Sequence, residues 1–266
     1  MDSDNIFKPY EEIKNDLKFI TSSDIRTKII ISLKERPKKL GELKNEVQTN
    51  ASAILHNMGQ LENKKLIIKE FQDYSLSQTG EITAINLINL VKAIYLLKNN
   101  KDYLLNHDLK EIPISLLDEI ECLEHLKITN SPIDIILNTY SGRIAESKYI
   151  KCIIPVSGII NEFISDILHQ NINSNLIFAK NDLEDTSPQI NLKTPSIVNK
   201  KSNLKFAIHN NLKLTLILTD NFLLLNLPEI NGRNDSKTNL VCQSEDAICW
   251  GNKLFDYYLK KSEEIK

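Results

Sequence analysis

The sequence has no C-x-x-C pair. Its four cysteines, Cys122, Cys152, Cys242 and Cys249, are scattered through 266 residues, and no histidine stands at metal-ligand spacing from them. A structural zinc site and a disulfide framework are therefore not expected, and reduced, buried thiols are the simplest reading. There is no G-x-S-x-G elbow, no P-loop and no G-x-G-x-x-G turn, which removes the usual nucleophile and phosphate-binding signatures. No stretch reaches the roughly 18 uninterrupted apolar residues of a membrane span. The opening MDSDNIFKPYEEIKNDLK is acidic and polar, where a signal peptide needs a basic start and an apolar run. A soluble, cytoplasmic protein without a membrane partner is expected.

An excess of charge of one sign is also missing. Lys and Arg number 33 against 35 Asp and Glu, a net charge of −2. Residues 1–80 carry 13 basic against 12 acidic side chains, and the remainder 20 against 23. The difference points toward DNA binding at the N-terminus but is too small to suggest it unaided. The length suits two modest domains, and 41% hydrophobic with 26% charged residues is ordinary for a globular chain.

The local pattern of the first eighty residues says more. Glu11 to Ile20 and Ile25 to Leu33 read as helices, the second capped by Ser23 or Asp24. Ile25, Ile29, Ile30 and Leu33 give it one buried face. Pro37 stops that helix, and Leu40, Leu43 and Val47 mark a short third one. After a turn at Thr49-Asn50, a fourth helix runs from about Ser52 to Lys65 with Ile54, Met58 and Leu61 inward. Leu66–Glu70 and Tyr74–Gln78 then read as two strands around a tip at Gln72-Asp73. A helix-turn-helix followed by a β-hairpin is a winged helix.

Ser52, His56, Gln60 and Asn63 are expected to face outward from the fourth helix, with Asn57 beside them. Gln and Asn can pair bidentately with adenine, and Ser or His can reach bases or phosphates. Lys64, Lys65 and Lys69 would reach phosphates at the helix end and wing, or else complement the helix dipole. No arginine lies on this face, and Gly59 in mid-helix costs about 1 kcal/mol relative to Ala.

From Glu81 to Lys98 the chain is apolar nearly all round, so that helix needs cover on several sides. It reads either as packing between two domains or as a dimer interface, since a two-fold dimer sets two recognition helices one DNA turn apart. Lys98-Asn99-Asn100-Lys101 ends the pattern. The division expected is 1–80 winged helix-turn-helix, 81–110 linking or dimerisation helix, and 111–266 effector or oligomerisation domain.

In that last region Tyr149–Pro155, Asn175–Ala179, Leu204–Ile208, Leu212–Thr219 and Phe222–Leu227 read as strands. Ile159–Leu168 and Glu245–Glu264 read as helices, and Lys180–Lys201 as a loop. The fold class expected is α+β, with a mixed α/β C-terminal domain. Catalysis finds no support there. His125-Leu126-Lys127 resembles the start of a phospholipase-D-type phosphodiesterase motif, but that motif needs Asp seven residues after the His. Position 132 is Pro, and Asp134 comes two places late. No enzyme, cofactor or metal is expected. Trp250, Tyr257 and Tyr258 line a ligand pocket or, more simply, pack the core.

Several segments resemble a known family. FITSSDIRTKIIISLKERPKKLGELKNEV, HNMGQLENKKLI and YSLSQTG at the front, LLNHDLKEIPISLLDEI (Leu104–Ile120) in the middle, and LILTDNFLLLNL with SEDAICWGNKLFDYY at the end are similar to archaeal, mostly methanogen, winged-helix regulators. Their C-terminal part is the methanogenesis regulatory middle domain, and they fall in the broad metal-repressor-like winged-helix group. The resemblance spans nearly the whole chain and implies a transcription regulator with an effector-type domain. Recognition helices of that family usually read S-T-I-S-H. Ser52-Ala53-Ile54-Leu55-His56 keeps Ser and His but replaces two hydroxyls, which implies either a changed operator, with Leu55 touching thymine methyls, or weakened binding.

Two readings follow. The first is a dimeric, sequence-specific regulator that binds double-stranded DNA and senses a small-molecule effector. The second is a protein-interaction or ligand-binding module whose winged helix has little DNA affinity, supported by the nearly neutral first domain.

Overall fold

The computed structural model describes residues 6–155, 172–180, 204–235 and 237–265. The chain divides into two compact units, 1–91 and 92–266.

In the first unit, α1 (Phe7–Thr21) and α2 (Asp24–Leu33) lead to a two-residue strand β1 (Lys38–Lys39), then α3 (Leu40–Val47) and α4 (Ala51–Asn63). Ser23 caps α2 by accepting the Arg26 N–H at 3.3 Å, and Asn50 caps α4 by accepting the Ala53 N–H at 2.8 Å. Gln48 sits between α3 and α4 in the left-handed region, φ 57°, which turns the chain there. Strands β2 (Ile67–Glu70) and β3 (Asp73–Leu76) form the hairpin, and β1 adds to it in the order β1-β3-β2. Ile29, Ile30, Leu33, Leu43, Ile54, Met58 and Leu61 close the core beneath. This is the winged helix expected from the periodicity.

Lys38 is the unexpected member, a lysine only 1% exposed. Its stem is buried, while Nζ donates to Glu35 and Glu46 at 2.7 Å each. Burial works against its charge, but the two carboxylates outweigh that and hold its pKa above the ordinary lysine value. Gly80 is needed for a different reason. A Cβ there would stand 1.9 Å from the Leu66 carbonyl oxygen, so the start of α5 (Gln78–Asn99) lies directly on the hairpin backbone.

Helix α5 is apolar enough by length and composition to cross a bilayer, with a mean hydropathy of 1.3 over 18 residues. Its residues are otherwise employed. Ala84 and Leu87 join the first core, Leu96 joins a core of the second unit, and Lys92 is ion-paired with Glu124 at 2.6 Å. Much of the rest, including Ile82, Ile85, Leu90 and Ile94, is exposed. The cover expected on several sides is therefore only partly supplied within one chain.

The second unit continues through α6 (Lys101–Asn106), a 3-10 turn at Leu109–Glu111, α7 (Ile114–Leu117) and a second 3-10 turn at Ile120–Leu123. Then come β4 (Lys127–Asn130), α8 (Ile133–Ala145), β5 (Tyr149–Ile154), β6 (Asn173–Ala179), β7 (Leu204–His209), β8 (Thr215–Thr219), β9 (Leu223–Asn226), β10 (Thr238–Cys242), α9 (Glu245–Leu259) and β11 (Glu263–Ile265). The described strands make one mixed sheet, ordered β11-β7-β6-β5-β8-β9-β10-β4. Strands β5, β6 and β7 run parallel, and the remaining pairings are antiparallel.

Both faces of this sheet are covered. Ile133, Ile136 and Leu137 of α8 pack on Cys152, Ile154, Ile217 and Leu224. Trp250, Leu254 and Phe255 of α9 pack on the opposite side, with Ile153, Leu216, Leu218 and Leu225. That is why β8 and β9 read as continuous apolar runs instead of alternating. Gly251 lets α9 settle closely, since a Cβ there would meet Leu223 and Leu218 at 2.6 and 2.9 Å. Cys152 and Cys242 are buried as expected, Cys122 is half-buried, but Cys249 faces solvent. Burial pushes the Cys152 and Cys122 thiols up from the ordinary value.

The sequence reading missed β4, α8, β10 and β11, and ran the final helix five residues too far. The helix expected at Ile159–Leu168 and most of the loop at Lys180–Lys201 lie outside the described residues. The segment Leu104–Ile120 has a structural explanation. The Asp108 N–H donates to the Pro228 carbonyl at 2.8 Å, and the Ile230 N–H to the Asn106 carbonyl at 2.9 Å. His107 stacks on Tyr103 with centroids 3.7 Å apart, and its Nε2 lies 3.0 Å from the Asp235 carboxylate. Further on, Trp250 Nε1 donates to the Leu116 carbonyl at 2.9 Å, and the Tyr258 hydroxyl to the Glu111 carbonyl at 2.8 Å. The segment is a strap that ties α9 to the β9–β10 connection.

Two outcomes follow from this packing. Gly80→Ala should destabilise the first unit by about 1–3 kcal/mol, because a backbone carbonyl cannot move aside as a side chain can; thermal unfolding reads this directly. Burial opposes ionisation of Asp235, but the N–H groups of Lys237 and Thr238, together with Thr238 and His107 side chains, hold its carboxyl below the ordinary range. Its stabilising contribution is then complete above the unfolded value of about 3.9 and is lost as pH falls through the lower folded value. Urea midpoints should show Asp235→Asn less stable than wild type at neutral pH, with the gap closing in acid.

Candidate nucleic-acid interface

Helix α4 sorts its side chains by the rotation of about 100° per residue. Ile54, Met58 and Leu61 are buried, all at 1% exposure or less. Ser52, Leu55, His56 and Asn63 are exposed on the opposite arc, and Leu55 keeps 48% of its surface open. Gly59 lies in the middle of that arc, with nothing within 4 Å of where a Cβ would stand. The result is a shallow, bare strip flanked by hydrogen-bonding side chains, into which a flat edge can come close to backbone.

Two residues expected on that strip are held by other side chains of the unit. Asn57 is 7% exposed, its Oδ1 accepts from the Ser23 hydroxyl at 3.2 Å, and its Nδ2 donates to the Ala53 carbonyl at 2.8 Å. It belongs to the helix packing, because position 57 falls about 140° round from Ser52 and faces α2. Gln60 is partly buried, and both ends of its amide are engaged. Its Oε1 accepts from Arg26 at 2.7 Å, and its Nε2 donates to His56 Nε2 at 3.0 Å. Arg26 itself lies over the Phe19 ring at 4.4 Å and donates through Nε to the Phe19 carbonyl at 2.8 Å. An arginine on α2 therefore orients His56 through Gln60. No helical periodicity announces such a role, and the sequence reading passed over Arg26.

The lysines divide as well. Lys64 Nζ is held by Asp16 at 2.6 Å, so its charge is partly matched. Lys65 is exposed at φ 57°, and its carbonyl accepts from Ser77 and Thr79. Lys69 lies over the Tyr74 ring at 5.3 Å on the hairpin. The hairpin tip is Phe71-Gln72, one residue earlier than expected, because Asp73 pairs with Glu70. Phe71 is fully exposed and takes φ 57°, where a two-residue turn usually has glycine. An aromatic held open in the left-handed region costs about 1 kcal/mol, and the sequence reading left it unassigned between the strand ending at Glu70 and the tip expected at Gln72-Asp73.

Comparison with known proteins places this geometry. Residues 14–95 match the N-terminal domain of the family described as methanogenesis regulatory protein FilR1, and residues 133–261 match its middle domain. The two matches together cover most of the sequence. The chain belongs to the FilR1 family. The methanogenesis regulatory protein FilR1 of Methanothrix harundinacea (strain 6Ac) is 26% identical over 258 residues, which is 94% of this chain and 58% of that protein. The chain thus spans less than two thirds of its curated relative's length. Among solved structures, TrmBL2, an archaeal chromatin protein, is 14% identical with a TM-score of 0.40, covering 89% of this chain and 92% of its own. A phospholipase D family member, Nuc from Salmonella typhimurium, is 9% identical with a TM-score of 0.38, covering 53% and 97%. These distant likenesses add nothing to the argument from the chain's own geometry.

In FilR1 terms the N-terminal match covers the whole of α2, α3, α4 and the hairpin, and so the candidate strip, Arg26 and Lys69. Among the described residues no three His, Cys, Asp or Glu side chains are grouped to hold a metal ion. What the strip offers is donors and acceptors on a rigid helix, one exposed aliphatic side chain and cations at the margin.

Arg26→Ala removes the charged donor that Gln60 and the Phe19 carbonyl both accept from. It should lower stability by about 1–3 kcal/mol. It should also release His56, visible as wider rotamer averaging in the His56 ring NMR signals, while Lys39→Ala changes neither.

Proposed function

We propose that this chain is a sequence-specific regulator of transcription that binds double-stranded DNA as a homodimer in the cytoplasm, with its second unit responding to a small effector. The observation that carries the reading is the bare strip of α4, with His56 oriented by Arg26 and Gln60 beside a hairpin bearing Lys69 and Phe71. The name of the Methanothrix harundinacea relative, a methanogenesis regulatory protein, supports the same direction. In this reading the strip enters the major groove. Ser52, His56 and Asn63 contact base edges or phosphates and Leu55 meets thymine methyls. Gln60 and Asn57 act behind them, as positioning groups.

Phosphate contacts come from Lys65 and Lys69, with Lys64 contributing less while Asp16 holds it. Phe71 stands where a hairpin tip would meet the minor groove. The winged helix is nearly neutral overall, so one copy binds weakly and the dimer supplies the affinity. Two exposed apolar stripes support pairing: Phe7, Tyr10, Ile13 and Leu17 on α1, and Ile82, Ile85, Leu90 and Ile94 on α5. A monomer would leave both in water. The second unit is read as a binding domain without catalysis. His125 and Lys127 lack the aspartate that phosphodiester chemistry would need at position 132.

Selection of bound genomic fragments by the purified chain at physiological salt is the test. It should recover an inverted repeat with half-sites about 10 base pairs apart. His56→Ala and Asn63→Ala should blur the recovered sequence. Lys65→Ala and Lys69→Ala should weaken all DNA alike and each reduce the salt slope by about 0.9. Ile85→Glu should give monomers by light scattering and lose the repeat. Recovery of nothing above background, with the chain folded, would return the weight to a protein-interaction module.

A further inference from the structure

We infer that the second unit carries a binding site for a small, flat organic anion, in the cleft beside the β4–β10 edge of the sheet. The inference deepens the reading of this unit as a sensor by assigning its site and ligand class. The cleft has a volume of about 620 Å³, within the roughly 300–1,000 Å³ that small-molecule sites occupy. Its walls come from segments far apart in sequence: Tyr95 of α5, Tyr140 of α8, His125 and Lys127 at the start of β4, and Gln243 and Ser244 between β10 and α9.

Charge selects the ligand's sign. Glu124, the carboxylate that lines the cleft, is already matched by Lys92 at 2.6 Å and lies 3.5 Å from His125 Nε2. The Asp246 carboxylate also acts on Lys92, so that lysine is committed to acids. Lys127 is not. It is exposed, and among the described residues no carboxylate pairs with it. The β4–β10 register sets it opposite Val241 in the cleft wall, and the edge strand holds it there. A cation without a partner at the rim of an apolar-walled cleft attracts an anion more strongly than one surrounded by water.

Shape and polarity narrow the class further. Tyr95 is 58% exposed and Tyr140 half-buried, which leaves aromatic surface open inside a cleft otherwise floored by Leu126 and Val241. Flat rings stack on such surfaces at little entropic cost. Gln243 also lines the cleft and offers a neutral amide, while the Ser244 hydroxyl beside it is engaged in capping α9 by accepting the Ala247 N–H at 3.3 Å. The His125-Leu126-Lys127 triplet thereby acquires a role in binding. Tyr95 and Asn99 of the last turns of α5 complete the wall within the second unit.

Two dyes of matched shape test the site on the full chain: 8-anilinonaphthalene-1-sulfonate and its uncharged counterpart N-phenyl-1-naphthylamine. The sulfonate should bind one per chain, and Lys127→Ala, on an exposed edge strand, should weaken it at least about tenfold. Lys127→Arg should retain it. The uncharged dye should bind at least about tenfold more weakly and ignore both changes. Ile114→Ser, an exposed apolar position on α7, should leave sulfonate binding intact. Equal binding of the two dyes, no loss in Lys127→Ala, or loss in Ile114→Ser instead would overturn the site. DNA retention by the same preparations is read separately. Failure to bind DNA with the dye site intact would overturn the regulator reading alone.

Discussion

The larger unit depends on a sheet that loses water on both faces. Every residue of β8 and β9 is buried, so those strands cannot spare a polar side chain except where it is hydrogen-bonded, as Asn226 is to the carbonyls of Asp235 and Thr238. Once α8 and α9 cover the two faces, the positions of their neighbours are set by where backbone groups still need partners. The strap from Leu104 to Ile120 meets that need at α9 and at the β9–β10 connection. The cleft lies at the end of the sheet beside β4, where Tyr95 of α5 and Tyr140 of α8 line it together with His125 and Lys127.

The smaller unit solves a different problem with less core. Its helices are short, and the strip on α4 must be rigid while remaining bare. Rigidity is supplied from behind, by Arg26 against Gln60 and by Asn57 against Ser23, so no outward side chain is spent on holding the helix. Lys38 of β1, paired to the hairpin through Tyr74, is buried with its ammonium satisfied by Glu35 and Glu46. Polar residues that look available for recognition in a linear reading are in several cases the structure's internal fastenings.

Local signals were legible wherever one element's own period set the answer. The apolar spacing of α2, α3 and α4, a cap at Ser23 or Asp24, the turn at Thr49-Asn50, the hairpin and the strand candidates from β5 to β9 could all be read. Short elements whose identity comes from a partner could not. Strand β4 carries Lys127, Thr129 and Asn130, and it is a strand because β10 pairs with it; β11 depends in the same way on β7. Helix α8 was hidden by its polar residues, since only Ile133, Ile136, Leu137 and Ile144 face the core.

The sequence by itself determined the winged helix, the mixed α/β class of the second unit, the absence of the common catalytic motifs and the family resemblance. These follow from periodicity and from short-range chemistry, which act between residues a few positions apart. Tertiary structure alone decided that Asn57 is buried, that Gln60 serves Arg26 and His56, that Phe71 stands open at the tip, and that Lys127 faces a cleft. The places of Asn57, Gln60 and Lys127 depend on groups brought together across 30 to more than 100 residues, and nothing in the local pattern encodes such distances; that of Phe71 depends on the register of the hairpin, set by the pairing of Glu70 with Asp73.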